Sequence, residues 1–472
     1  MAIQPFPRTG ARPAPRVGPD RVLASRRRLL RRDSLLIASW VSVAIVIALF
    51  LADDVAAGFV SVGQTLTSLG IAAGLVGTDL LLVMLLLTAR LPVIDRAYGH
   101  DRAVALHRKL GKPVLYLLLS HTGLLIAGYG MTEGINPVSE VLTLFLTVPD
   151  MPLAFMGLGL LLAVVVTSVV AVQRRFPYEA WLGIHLLAYL AVLAALPHQF
   201  SNGAVFAPGT WQRLYWLVFY LAVTGSILVF RIAVPLARSA RYRLVVSGVR
   251  RAGTDAVTIT MSGAGLESLS VHAGQFFQWR FLSADLWWHA HPFSLSAAPS
   301  AGVLEITVRG LGSGTRKLLT VRPGTKVVVE GPYGIFSKTV RTSERLVMVG
   351  AGIGVAPIRS LLEEADFAPG DATVILRAGR VEELYLLAEI DELCRSRGAY
   401  LYLETGPRPS DRAHWLPAAS ADRGFSLLSY APALASSDAY VCGPVQWSAQ
   451  VMAQARAAGV PAEAIHHERF SW

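Results

Sequence analysis

Cysteine is almost missing: the chain has two, Cys394 and Cys442, in 472 residues. That excludes a disulfide framework and leaves too few thiols for a conventional iron–sulfur cluster, which takes four ligands. Charge is scarce as well. Asp, Glu, Lys and Arg make up 16% of the residues, against about a quarter in ordinary soluble proteins. Acid is the scarcer sign, with 32 Asp and Glu against 43 Lys and Arg and a net charge of +11. The arginines border hydrophobic segments and do not interleave with aromatics in a patch, so no nucleic-acid partner is expected. Internal repeats are also absent.

What fills the chain is apolar: 53% of residues are hydrophobic, and the excess is concentrated in the first half. Six segments, at about 34–51, 66–87, 103–130, 152–172, 178–197 and 211–234, are long enough to cross the hydrocarbon, which takes about 20 residues. Arg90, Arg96 and Arg102 follow the second span, Arg174 and Arg175 the fourth, and Arg238, Arg241 and Arg243 the sixth, with Arg231 near that span's end. The alternate loops carry Asp53, Asp54, Glu133, Glu140 and Asp150, with Arg213 the basic exception. The positive-inside rule then puts both termini, and everything after the sixth span, in the cytoplasm of an integral cell-membrane protein. Residues 1–33, rich in Pro and Arg, read as a disordered cytoplasmic tail. The apolar run after them is too long for a signal peptide, so the first helix is retained.

Outside the loop residue His100, the membrane half holds four histidines. His107 and His121 lie on span three, and His185 and His198 on span five. Each spacing corresponds to about 20 Å along a helix axis, which sets one histidine of each pair near each membrane face. A single intramembrane histidine serves as well for interhelical hydrogen bonding or proton relay. Four at matched heights on two parallel spans point to two haems, one held by His107 and His185 and the other by His121 and His198. Both axial positions of each iron are then filled, which suits electron transfer and leaves no open coordination site. Pro197 precedes His198, so span five is predicted to be irregular at its outer end.

Period-two alternation begins near residue 240, with runs at 256–261, 275–280, 304–309 and 326–330 that predict an antiparallel β-barrel. Strands at 345–349, 372–378, 400–404 and 439–442 then alternate with helical stretches, a doubly wound α/β pattern. In the barrel, His291-Pro292-Phe293-Ser294 offers Ser294 as a hydrogen-bond partner near a flavin N5 and Phe293 as a packing surface. Arg309, Gly312 and Thr315 belong to a small, flexible stretch suited to a pyrophosphate. Gly350, Gly352, Gly354 and Pro357 lie in a loop between an apolar strand and a helix, as a dinucleotide phosphate site requires. Cys442-Gly443-Pro444 ends a later strand of the same sheet, where Cys442 would face a nicotinamide. Arg377 and Arg380 follow the second strand and suit a 2′-phosphate, favouring NADPH over NADH.

Together these residues resemble the ferric reductase and NADPH oxidase superfamily, over nearly the whole chain after residue 60. The resemblance rests on the paired histidines of the third and fifth spans, the His291–Ser294 and Gly312–Thr315 motifs, the Gly331–Gly334 turn, the Gly350–Pro357 loop and Cys442–Pro444. It implies a basic tail (1–33), a six-helix transmembrane domain holding two haem b groups (34–236), an FAD-binding β-barrel (240–340) and an NAD(P)-binding α/β domain (342–472). Electrons would pass from NAD(P)H through FAD and the haems to an outer acceptor: ferric iron in a chelate first, dioxygen second, a quinone or partner protein third. By the same resemblance, Phe470 stacks on the flavin and moves aside for the nicotinamide, with Trp472 the alternative. Leu125 stands where animal-type oxidases carry a second outer histidine, and the first span lacks their arginine, which weakens the dioxygen reading.

Overall fold

The computed structural model describes residues 19–52, 60–174, 178–300, 302–411 and 414–469. These form two compact units, one of residues 31–94 and 102–231, the other chiefly of residues 95–101 and 232–472.

The first unit is helical. Its elements are α1 (Pro19–Leu51), α2 (Val62–Thr88), a short α3 (Pro92–Tyr98), α4 (His100–Glu133), α5 (Pro137–Thr147), α6 (Met151–Arg174), α7 (Tyr178–Asn202) and α8 (Trp211–Ser226). A π-helical turn (Ile227–Ala233) and α9 (Val234–Tyr242) follow α8. Among the described residues, six helices are long and apolar enough to cross a bilayer.

Two expectations change here. Residues 19–33 are helical, because their Arg, Leu and Ala are good helix formers that simply extend the first span. Helix α7 also runs unbroken through Pro197. Proline removes one hydrogen bond and crowds the carbonyl four residues back, but here only five residues of helix remain. That last stretch is anchored by Asn202 Nδ2 donating to the Pro149 carbonyl at 2.6 Å.

Helix α2 packs closely on α4 because glycines line its contact face. A Cβ at Gly70 or Gly77 would lie 3.1 Å from Leu125 or Leu118, and one at Gly74 would lie 2.4 Å from His121 Nδ1. Helices α6 and α7 approach similarly at Gly157, where a Cβ would meet the Ala191 carbonyl at 2.8 Å.

The second unit takes in most of α3, the first residues of α4 and all of α9, and continues with two three-stranded antiparallel sheets. One has β1 (Val245–Arg251), β2 (Ala256–Ser262) and β5 (Val303–Arg309) in the order β1-β2-β5. The other has β3 (Phe276–Phe281), β4 (His291–Ser294) and β6 (Val327–Tyr333) in the order β4-β3-β6. Bridges at Val245–Lys326 and Leu295–Ile306 join them into a barrel, filled by Phe277, Trp279, Phe281, Ile259 and Ile306. The motif His291–Ser294 is itself a strand.

A parallel five-stranded sheet follows: β7 (Arg345–Ala351), β8 (Ala372–Ala378), β9 (Tyr400–Thr405), β10 (Ser437–Gly443) and β11 (Ile465–Arg469), in the order β11-β10-β7-β8-β9. Apolar layers pack on both faces, so its inner strands are continuous hydrophobic runs. Strand order reverses between β7 and β10, the switch point at which such sheets bind ligands. The architecture is therefore a six-helix membrane bundle, an antiparallel barrel and a doubly wound α/β domain.

Candidate functional site

In the helical unit, His107 and His185 face each other, with ring centroids 5.9 Å apart and planes at 70°. That separation leaves room for one metal atom between two imidazoles at metal–nitrogen bonds of about 2 Å. His107 Nδ1 lies 3.1 Å from the Met84 carbonyl, and His121 Nδ1 2.9 Å from that of Gly70. A carbonyl only accepts, so both Nδ1 atoms carry the proton and both Nε2 lone pairs are free. Ser168 gives its own hydrogen to the Val164 carbonyl at 2.7 Å, and its oxygen then accepts from Trp181 Nε1 at 3.2 Å and from His185 Nδ1 at 3.3 Å. Three of the four imidazoles thus hold the tautomer that a metal needs, fixed by the outer hydrogen bond that metal-ligating histidines usually make. His198 lies in the last part of α7 with its Nδ1 buried. Among the described residues no group of three or more His, Cys, Asp or Glu is placed to hold an ion. Leu125 packs on Gly70 beside the carbonyl that His121 uses.

In the second unit, the barrel motifs converge. The His291 ring lies against Gly314, where a Cβ would sit 2.9 Å from Cε1. Gly312 starts a short α10 (Ser313–Leu318), and Thr315 Oγ1 closes that turn by accepting from the Gly312 N–H at 2.9 Å. The Thr315 hydroxyl, which suits a pyrophosphate when free, is therefore engaged within its own turn. Arg309 is engaged too: its Nε donates to Asp255 at 2.7 Å and its guanidinium sits over the Tyr385 ring at 5.5 Å. Burial raises the Asp255 carboxyl, but hydrogen bonds from Tyr385 and Arg309 outweigh it and hold the group below its usual range. Phe293 belongs to the barrel core and not to an exposed packing surface; strand alternation puts Pro292 and Ser294 on the opposite face. Ser294 is buried, and its hydroxyl has no hydrogen-bond partner among the described residues. A buried unpaired hydroxyl is costly, so Ser294 fits a bound group that supplies a partner.

Ser294 pairs with Phe276 across β4 and β3, and Phe276 pairs with Tyr333 of β6. A Cβ at Gly334, in the turn after Tyr333, would lie 3.1 Å from Phe276 and 3.5 Å from Glu468 Oε1. Glu468 sits opposite Cys442 in the β10–β11 register. Burial pushes the Cys442 thiol far up, and Glu468 adds to the effect, so Cys442 stays neutral. Ser294, Phe276, Gly334, Glu468 and Cys442 thus form one continuous neighbourhood. Sequence reasoning did not single out Glu468; its only signal was a place in the C-terminal strand. His100 was likewise set aside as a loop residue, yet its ring stacks on Tyr333 at 5.1 Å.

The nucleotide crevice lies at the switch point. After β7 the chain makes a 3-10 turn at Gly352–Gly354 and enters α11 (Val355–Glu364). A Cβ at Gly354 would lie 2.4 Å from the Cys442 carbonyl, and one at Gly443 2.7 Å from Trp447. The glycines therefore let the two loops close on each other. No side chain caps α11, which leaves its first N–H groups for an anion. Arg377 is buried, with its guanidinium given to the carbonyls of Ala378 and Gly406. Arg380 is 78% exposed, beside Glu383. Phe470 and Trp472 lie outside the described residues.

Residues 73–196 match the family of ferric reductase like transmembrane components, and residues 242–337 match an FAD-binding domain family. NADPH oxidase 1 of Mus musculus is 31% identical over 117 residues, 24% of this chain and 19% of that protein. These matches are consistent with the ferric reductase and NADPH oxidase superfamily. Other relatives are the ferredoxin–NAD(+) reductase component of the alkene monooxygenase system of Xanthobacter autotrophicus (29% identical, 36% of this chain and 54% of that one) and a flavohemoprotein of Xylella fastidiosa (26%, 42% and 50%). The chain thus spans from about a fifth to about half the length of these relatives. Among solved structures, the FAD/NAD-binding domain of a nitric oxide dioxygenase from Vibrio cholerae aligns at a TM-score of 0.40 with 18% identity, over 49% of this chain and 99% of that one.

Proposed function

We propose that this protein moves electrons from cytoplasmic NAD(P)H, by way of FAD and two haem b groups, to an acceptor on the far side of the membrane. The observation that carries the reading is the imidazole set: His107 faces His185, and His107, His121 and His185 each give Nδ1–H to an oxygen and keep Nε2 free. His107 and His185 hold one haem, His121 and His198 the other. When bound, FAD takes a hydride and gives electrons up singly, and haem iron between two imidazoles passes them on one at a time.

The chain's own residues do the positioning. Ser294 gives its unpaired hydroxyl to the flavin edge, and Gly314 and Thr315 lie by the His291 ring on the pyrophosphate side. The α11 N-terminus and its glycine loop receive the nucleotide phosphates, with Cys442 and Glu468 walling the nicotinamide side. Arg380 is the exposed cation available to a 2′-phosphate. Residues 34–236, 240–340 and 342–472 divide the work as haem, FAD and NAD(P) domains. Arginine-rich loops after spans two, four and six put the donor side in the cytoplasm.

Ferric iron in a chelate is the leading acceptor, since apolar Leu125 occupies the outer seam. Dioxygen is the second reading, favoured by the likeness to NADPH oxidase 1. The test is the absorption spectrum of purified protein before and after anaerobic NADPH. Two reducible haems per chain are expected in the unsubstituted protein and one after His121→Ala, with NADPH–FAD exchange intact. Two haems in the His121→Ala protein would reject the ligand assignment. Ferric-chelate reduction against superoxide-dismutase-sensitive dye reduction then separates the acceptors.

A further inference from the structure

Asp79 is a carboxyl on a membrane-spanning helix, fully buried in α2. Ser42 of α1 donates to its Oδ1 at 2.5 Å, and the Tyr215 hydroxyl of α8 lies 3.5 Å from that serine oxygen. Its other oxygen is buried with no hydrogen-bond partner, and no cation pairs with it among the described residues. Ionisable side chains inside a bilayer are costly and usually serve a function. Its depth is informative. Along α2, Gly70 accepts from His121 and Met84 accepts from His107. Asp79 falls between them, about 14 Å along the axis from the first and about 8 Å from the second at about 1.5 Å per residue.

We infer that Asp79 is a proton-accepting site that balances the charge of electrons passing through the bundle, an inference resting on the electron-transfer reading above. A ferric porphyrin with two neutral imidazoles carries one net positive charge, and the ferrous form carries none. The Asp79 carboxylate neutralises that positive charge across a low-dielectric interior, where such interactions reach far. When an electron arrives the countercharge is lost, and Asp79 takes one proton from water to form its O–H bond. That bond breaks, and the proton returns to water, when the electron moves on. Ser42 orients the carboxyl, and the bare oxygen receives the proton. The titratable and charged groups that the surrounding helices bring to α2 include, among the described residues, Tyr215 and Tyr220 from α8, Tyr189 from α7, His107 and His121 from α4, and Arg231, which donates to the Thr88 carbonyl at the end of α2.

The experiment is optical potentiometry of the full-length haem-loaded protein across the neutral pH range. The midpoint of one haem is expected to fall with pH, approaching about 59 mV per unit for one proton per electron. Asp79→Asn keeps an oxygen to accept from Ser42 but has no proton to exchange, so its slope should collapse while haem content stays; Tyr215→Phe should keep the slope. An interhelical tether alone predicts an unchanged slope in Asp79→Asn, and that result overturns the inference. Reduced-minus-oxidised infrared spectra of the unsubstituted protein need no variant. They should show a protonated-carboxyl C=O band appearing on reduction, and its absence, or a pH-independent midpoint, overturns the inference too. A protein without haem bands instead overturns the reading beneath it.

Discussion

Ser294 and Arg380 each do one thing that a substitution can isolate. The Ser294 hydroxyl is buried without a partner among the described residues, so Ser294→Ala removes no described contact from the apoprotein and relieves a desolvated group. Its melting temperature without FAD should be unchanged or slightly raised. With FAD one hydrogen bond is lost, worth about 1 kcal/mol, and flavin affinity or the rate of flavin reduction should fall several-fold. Equal destabilisation with and without FAD would place the hydroxyl in the protein's own structure instead. Arg380, exposed beside Glu383, is expected to matter only for the phosphorylated cofactor. Arg380→Ala should raise KM for NADPH about tenfold, leaving kcat and the NADH parameters alone, as expected for a lost charge-assisted contact. Steady-state kinetics with both nucleotides decides this, and equal effects on the two would remove Arg380 from cofactor selection.

At the scale of elements, glycine sets the close approaches. Gly74→Ala puts a methyl 2.4 Å from His121 Nδ1, so the ring must turn and lose its bond to the Gly70 carbonyl. Haem analysis should find one group per chain in this variant, as in His121→Ala. Gly354→Ala brings a methyl to 2.4 Å from the Cys442 carbonyl, which should raise KM for the nicotinamide cofactor more than tenfold while FAD stays bound. The constraint at Gly74 was not legible in the sequence, where glycine in a membrane helix is common and its contacts are unknown; Gly354 was marked by its loop, but its approach to Cys442 was not. Periodicity did reveal β2, β3, β5 and β6 and the parallel strands β7 to β10, because half-buried strands alternate and doubly covered ones are uniformly apolar. Strand β4 was hidden because Pro292 and Ser294 blunt its pattern, and β11 because His466, His467 and Glu468 look solvated. His466 is in fact buried against Asp438 at 2.7 Å, a partner 28 residues away that no local window reports. The same long range hid Glu468 beside Cys442, and Thr315 and Arg309 turned out to be occupied by neighbours that composition cannot show.

For the whole molecule, the buried and half-buried titratable groups outside the membrane spans shape how stability responds to pH. On the acid side, Asp255 and Glu364 tie the barrel to the nucleotide-binding sheet. Asp255 bonds to Tyr385, and Glu364 bonds to the Ala273 N–H and faces His272 and Lys338. Burial raises both carboxyls, but their hydrogen bonds and neighbouring charges leave them below the ordinary values of 3.8 and 4.5. A depressed carboxyl contributes stability above its unfolded value and loses it as pH falls through the folded one, so this contribution fades below about pH 4.5. On the alkaline side the sign reverses. Burial pushes the Cys394 thiol up to about 12 and Cys442 far up, from an ordinary 9.0. Burial also raises the Tyr385 and Tyr430 hydroxyls, helped by hydrogen bonds to Asp255 and Glu404. These groups stay neutral in the folded chain while the unfolded chain ionises, so their contribution is intact below about pH 9 and is lost as pH rises. Thermal unfolding of the full chain in detergent should therefore show a plateau with two independent limbs. Glu364→Gln should flatten the acid limb alone, since the amide still accepts from Ala273 but does not titrate. Cys394→Ala should flatten the alkaline limb alone, at the cost of a small cavity that lowers the plateau evenly. If either variant moved both limbs together, stability would be governed by net charge over the whole surface and not by these buried groups.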